Sequence, residues 1–396
     1  MLKMNKDFTS DEHEIDGWFD DDLSETNSFF ASMVDPAEKY AASQLRVVRE
    51  TRDYQLDYLK HALQPGRQII DTSPGYQRRL RWTNKKRSLL IESFLLNIPV
   101  PPIFLFERDY GEYEVIDGRQ RIETIHAFFS NEFPLNSLEY WSELNNKRFT
   151  ELPVVLQRGL LRRSISAIVL LAETDKGAHE LDVRRVLFDR LNTGGIKLNP
   201  QELRNALYPG TLNALLIKLA RTEHFTATWN IPKYKKNEEN EPSEELLKNS
   251  LFSTMADAEL VLRFFALQDA FISGKTGSLR RILDRYMELN KDIDESEQQI
   301  MQSSFIDSIK RLYMVFDGEP FKLPKTRRPS RPLYDALMIA LSINPGLDVE
   351  NRKSFVVDKL ASALANEESY EILIGRGNTI EAVRQRILLA IEILSA

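Results

Sequence analysis

Two kinds of hydrophobic spacing divide the chain, and the change comes near its middle. In the first half, short apolar runs stand between turn residues: Leu45-Arg46-Val47-Val48-Arg49, Ile69-Ile70, Ile103-Phe104-Leu105-Phe106, Tyr113 with Val115-Ile116, and the nearly continuous run from Ile165 to Leu171. Runs of this length between Gly, Pro, Asn and Asp predict strands, and Asp109-Tyr110-Gly111 predicts a hairpin between two of them. Helical spacing is interleaved. Leu56, Leu59 and Leu63 share a face behind Asp53, the expected N-cap, with Pro65-Gly66 as the stop. Leu89, Leu90, Phe94 and Leu96 predict a helix from Lys85 to Asn97 that halts before Pro99. Beyond Thr193 the period is helical. Asn199-Pro200-Gln201-Glu202 is a helix start, and Phe305, Ile309, Leu312 and Phe316 share one face. Asn378 and Glu381 form a capping box ahead of Val383, Ile387, Leu388 and Ile391. The expected fold class is α+β: a mixed α/β N-terminal domain followed by an all-α helical domain.

Length and composition sharpen that division. At 396 residues the chain exceeds one ordinary compact domain. Residues 1–40 are an acidic leader centred on Asp20-Asp21-Asp22, with Trp18, Phe19, Phe29 and Phe30 among the charges. It reads as a solvated tail, or as a segment that docks on a basic groove. The stretch from Tyr234 to Glu245 is dense in Lys, Asn and Glu, so the expected layout is a domain over 41–225, a polar linker over 226–249 and a helical domain over 250–396. A net charge of −6 argues against a basic coat over the whole surface and leaves room for a local basic groove. The chain has no cysteine, which excludes disulfides, zinc–thiolate sites and thiol nucleophiles. No apolar run reaches membrane-spanning length, and Met1-Leu2-Lys3-Met4-Asn5-Lys6 does not open a secretory signal. A cytoplasmic protein without a membrane partner is expected.

The candidate chemistry gathers at Tyr113-Glu114-Val115-Ile116-Asp117-Gly118-Arg119-Gln120-Arg121. An apolar strand ends in Asp-Gly, and two arginines and a glutamine open the helix from Ile122 to Phe129. Gly118 permits a tight turn, and a helix N-terminus favours phosphate. Arg119 and Arg121 are fork-shaped donors suited to phosphate oxygens, while Asp117 could hold a metal ion or a water. An arginine–aspartate surface pair after a hairpin turn would leave the same residues. Upstream lies Ser73-Pro74-Gly75-Tyr76-Gln77-Arg78-Arg79-Leu80-Arg81-Trp82, then Arg87 to Pro102 with its apolar helical spacing. Downstream lies Phe188-Asp189-Arg190-Leu191-Asn192-Thr193-Gly194-Gly195-Ile196-Lys197-Leu198-Asn199.

In order and spacing, these four segments resemble the N-terminal domain of GmrSD-type restriction proteins, over roughly Leu45 to Leu219. That family's hallmark is Asp-Gly-Gln-Gln-Arg, and here Arg119 stands in place of the first glutamine. The resemblance implies a ParB/sulfiredoxin-like fold that binds nucleotide, with Gln77, Arg78, Gly118 and Arg119 around the phosphates. It implies NTP with Mg²⁺ as ligand, making the chain a candidate Mg²⁺-dependent NTPase. Asp117 would serve metal or water, and Gln120 and Arg121 complete the candidate catalytic set. Asn192, Gly194 and Gly195 read both as a turn closing on the ligand and as the C-cap of a preceding helix.

Other signals are weaker. Gly274-Lys275-Thr276 looks like the tail of a phosphate loop, but Asp269 stands where the leading glycine belongs. His13, His61, His126, His179 and His224 are mutually isolated, so the His-based nuclease site found in relatives of this family is missing. Cutting chemistry, if the chain serves restriction, would come from a separate nuclease or modification subunit. Lys325-Thr326-Arg327-Arg328-Pro329-Ser330-Arg331 reads as a solvated loop or as a DNA contact through Arg327, Arg328 and Arg331. The expected function is a nucleotide-binding sensor or regulator of a prokaryotic restriction or anti-phage system. The alternatives are a DNA-binding or DNA-nicking module using the same arginines, and an interaction scaffold.

Overall fold

Val47–Gln55 (β1), Ile70–Asp71 (β2), Ile103–Asp109 (β3), Glu112–Asp117 (β4) and Ser164–Ala172 (β5) form one sheet of order β1-β5-β3-β4-β2. The computed structural model describes residues 47–63, 69–71, 82–109, 111–172, 199–238, 242–324, 329–375 and 379–395. The acidic leader lies outside them. β1 runs antiparallel to β5 and β3 antiparallel to β4, whereas β3–β5 and β2–β4 are parallel. The expected hairpin is present: Gly111 sits at φ 78° and its N–H donates to Glu107 Oε1 at 2.8 Å.

Among the described residues four helices pack on this sheet: Leu56–Ala62 (α1), Asn84–Leu95 (α2), Arg119–Phe129 (α3) and Val154–Leu161 (α4). Ile103, Leu105, Val115, Ile165, Ala167 and Val169 share a core with Leu56, Leu59, Ile91, Phe94, Ile122, Ile125 and Phe128. Phe106, Ile116 and Leu170, one residue out of phase, are buried too. Burial on both faces is reached only toward the end of β5, at Val169 and Leu170, where its sequence is continuously apolar, while Ser164 and Ser166 nearer its start are exposed.

One local expectation fails. Asp53 does not cap α1: it lies inside β1 opposite Ser166, whose hydroxyl donates to Asp53 Oδ1 at 2.6 Å. The nine-residue pairing with β5 carries the strand through to Gln55, which precedes α1 without a side-chain cap bond. A cap bond contributes less than a full antiparallel ladder, so the ladder wins.

By its internal contacts the chain divides between residues 198 and 199, ahead of the boundary at 225 drawn from sequence. The second unit opens with Pro200–Leu207 (α5), Thr211–Leu219 (α6) and Glu223–Thr228 (α7). The helix start at Asn199 holds, with Asn199 and Glu202 in a reciprocal capping box and Pro200 in the first turn. Arg204 of α5 explains the earlier division: it is buried against Glu259 and Asp284 of later helices. The 226–249 stretch is packed into this unit at several points, through buried Trp229 and Ile231 and through the buried pair Arg221–Glu238. Then follow Glu244–Lys248 (α8), Ser250–Ser253 (α9), Ala256–Ser273 (α10), Leu279–Leu289 (α11) and Glu295–Val315 (α12). Arg331–Ile343 (α13), Lys353–Ala365 (α14), Glu367–Ile374 (α15) and Ile380–Ser395 (α16) complete the unit.

α10 and α13 form its centre and are buried on most sides. Arg263 of α10 forms a two-pronged ion pair with Asp335 of α13 there. Thr379 takes the capping place expected of Asn378, accepting from Ala382 N at 3.2 Å, while Asn378 lies outside the described residues. Gly274 is the left-handed C-cap of α10 and Lys275 pairs with Asp269, a helix ending and not a phosphate loop. Among the described residues no helix is long and apolar enough to cross a membrane.

Candidate functional site

The site grows from the end of β4. Phe104 pairs with Asp117 and Leu105 with Val115, so Ile116 is an extra residue in the ladder. Such a bulge redirects the side chain that follows it, here Asp117. Gly118 then turns the chain at φ 94°. A Cβ at Gly118 would lie 2.5 Å from Ile103 Cγ2 and 3.0 Å from Arg121 Nη2, so both conformation and space demand glycine. α3 starts at once, with Arg121 N and Ile122 N donating to Gly118 O. The amides of Arg119 and Gln120 precede that first bond and point out of the helix N-terminus.

The motif's side chains largely hold one another. Arg121 Nη2 donates to Asp117 Oδ2 at 2.9 Å and to the Pro102 carbonyl at 3.1 Å. Its Nε is buried and has no hydrogen-bond partner among the described residues. Arg119 turns the other way: its Nε pairs with Glu123, one turn further along α3, and its Nη1 is buried without a partner among the described residues. Residues two apart on a helix leave it about 200° apart, so the two guanidiniums do not face each other. Only Arg121 is folded back toward the helix N-terminus. Gln120 Oε1 accepts from Trp82 N at 3.2 Å, and Lys86 Nζ lies 4.9 Å over the Trp82 ring.

Gln77 and Arg78 lie outside the described residues. Asp71 pairs with Glu114 on parallel β2, which heads toward the Asp117 end, and Trp82 is tied to Gln120. Asn192, Gly194, Gly195, Arg327 and Arg328 also lie outside the described residues. Arg331 is described: its side chain is 11% exposed and lies 3.8 Å from Glu259, so it faces the helical core. No group of three or more His, Asp or Glu that could hold a metal occurs among the described residues. Among the described residues of the motif, Mg²⁺ would meet Asp117, with Oδ2 already committed to Arg121.

Several supporting residues escaped the sequence reading. Glu92 is buried in α2 and accepts from the backbone amides of Glu139, Tyr140 and Trp141, at 3.1, 2.8 and 2.9 Å. Its signal was available: a carboxylate beside Ile91 and Phe94 on the apolar side of a helix. Arg52 donates to Tyr113 Oη at 2.7 Å and pairs with Glu50, contacts that raise its pKa further above the ordinary arginine value. The Pro102 carbonyl that receives Arg121 had no signal, because backbone acceptors carry none.

Against this geometry, comparison with known proteins is informative on one point. Residues 59–209 match the family model described as GmrSD restriction endonuclease, N-terminal domain. The match begins within α1 and takes in α2 to α5, β2 to β5 and the whole Asp117–Arg121 motif. No curated protein and no solved structure matches the chain.

Proposed function

With a GmrSD restriction endonuclease N-terminal domain over residues 59–209 as the premise, we propose that this chain is a nucleotide-binding sensor or regulator in a prokaryotic restriction or anti-phage system. The observation that carries the reading is Arg121. Its guanidinium is tied to Asp117 just ahead of α3, with Nε buried and without a partner among the described residues, and the first two amides of α3 have no intrahelical carbonyl to reach. Buried donors ordinarily have acceptors, and phosphoryl oxygens supply them in the geometry that helix N-termini favour. Gln77 and Arg78 would add side chains to the phosphates, and Asn192, Gly194 and Gly195 would close on the base or ribose.

If the nucleotide is hydrolysed, Arg121 answers the charge on the transferred phosphoryl group. Asp117, through Oδ1, is the residue that would hold Mg²⁺ or position a water. The ion would supply charge neutralisation at the phosphates. Gln120 serves this chemistry by fixing the entry to α2 through Trp82. DNA cleavage would belong to a separate subunit.

The test is calorimetric titration of the full chain with each NTP plus Mg²⁺, for the wild type, Arg121→Ala and Asp117→Ala. Binding by the wild type and loss in Arg121→Ala is the expected result, and equal heats in all three would end the reading. A gel shift across salt concentrations, with and without NTP, identifies the DNA-binding alternative, which predicts NTP-independent binding that weakens steeply with salt.

A further inference from the structure

We infer that Asp117 is the positioning residue of Arg121, and that its contribution to anion binding passes through that guanidinium; the inference rests on the nucleotide reading above. A guanidinium presents five donors in a rigid plane. Nη2 of Arg121 spends its two on acceptors from different parts of the chain, Asp117 Oδ2 at the end of β4 and the Pro102 carbonyl just before β3. Two fixed acceptors on one nitrogen set both the position and the tilt of the plane. Gly118 completes the clamp, because a Cβ there would stand 3.0 Å from the same Nη2. Nε, which shares an edge of the plane with one of the two Nη2 donors, is buried and has no partner among the described residues.

This arrangement suits a preorganised anion receptor. An arginine held before its ligand arrives loses less freedom on binding than one that must be ordered by the ligand. Asp117 lies four residues before Arg121, so the strand end and the helix start form one local unit around Gly118. Glu123 does not share the role: it holds Arg119 on the other side of the helix. The distinction from a metal ligand is chemical. A metal-binding aspartate needs its charge, whereas a clamp needs an acceptor oxygen facing Nη2, which asparagine retains and alanine does not.

The experiment uses the full chain and inorganic pyrophosphate as probe, titrated in EDTA and in Mg²⁺. Arg121→Ala and Asp117→Ala are each expected to weaken binding about tenfold, and Asp117→Asn to stay within about threefold of the wild type. The double alanine variant should bind no more weakly than Arg121→Ala alone, since the two residues act as one unit. A ligand-free readout accompanies this: the Nε–H resonance of Arg121 in protein labelled with ¹⁵N-arginine. It should report an ordered side chain in the wild type and Asp117→Asn, and a motionally averaged one in Asp117→Ala. An unchanged Arg121 resonance in Asp117→Ala overturns the inference even if nucleotide binds. So does a loss in Asp117→Asn equal to that in Asp117→Ala and confined to Mg²⁺. Failure of the wild type to bind pyrophosphate or any NTP defeats the nucleotide reading instead, and the resonance still decides whether the clamp exists.

Discussion

In the helical unit an arginine and an aspartate from distant helices, Arg263 and Asp335, meet where neither side chain is more than 2% exposed. In the sheet unit Asp117 and Arg121 are one helical turn apart, and the aspartate keeps 38% of its side chain in solvent. The chemistry is the same and the consequence differs. The buried pair joins α10 to α13, with Tyr334 beside it donating to the Leu260 carbonyl at 2.9 Å. Burial raises the Tyr334 pKa well above its ordinary value, as expected where no water reaches. The pair at the motif joins no distant elements except through the Pro102 carbonyl, and it leaves Arg121 Nε buried with no partner among the described residues. One pair is a staple, and the other is a receptor in waiting.

That contrast can be broken by substitution. Asp335→Ala strands a buried guanidinium and is expected to cost about 3–5 kcal/mol, read as a lower denaturation midpoint. A loss below about 1 kcal/mol would show that the pair is not a staple. Gly118→Ala comes next, at about 1–3 kcal/mol, because a left-handed residue must also displace Ile103 and Arg121. It should weaken nucleotide binding as well, which a purely structural glycine would not do. Asp117→Ala is expected to cost no more than about 1 kcal/mol of stability, since the pair is local and half open to solvent. A cost matching Asp335→Ala would erase the distinction between the two units.

The smallest effect concerns a third setting, the exposed pair Arg311–Glu350 on α12 and the loop before α14. The Arg311 guanidinium holds the Glu350 carboxyl below its ordinary value of 4.5. A depressed folded pKa contributes stability above the unfolded value, and that contribution is lost as pH falls through the folded value. The Tm difference between wild type and Glu350→Gln should therefore be steady from neutral pH down to about pH 5 and close below it. With Glu350 43% exposed, solvent screening keeps the difference small. A gap that widens in acid would contradict the assignment.

Much of this protein could be read from residue order alone, because the relevant physics is local. The hairpin at Gly111, the helix start at Asn199-Pro200 and the strand–glycine–helix turn at Asp117-Gly118 depend on conformational preferences within a few residues. The apolar run of β5 and the helical periods beyond residue 199 announced an α+β chain for the same reason. Asp53 shows where that logic stops: its capping preference was real, and a nine-residue partner strand more than a hundred residues away overrode it. The division of labour between Arg119 and Arg121 was likewise invisible, since both are equally good phosphate donors on paper. Only the folded chain, by bringing the Pro102 carbonyl and Asp117 to one nitrogen and Glu123 to another, decided which arginine points where. Sequence sets the local menu of turns, caps and donors, but burial and partner choice depend on long-range packing, and packing exists only in three dimensions.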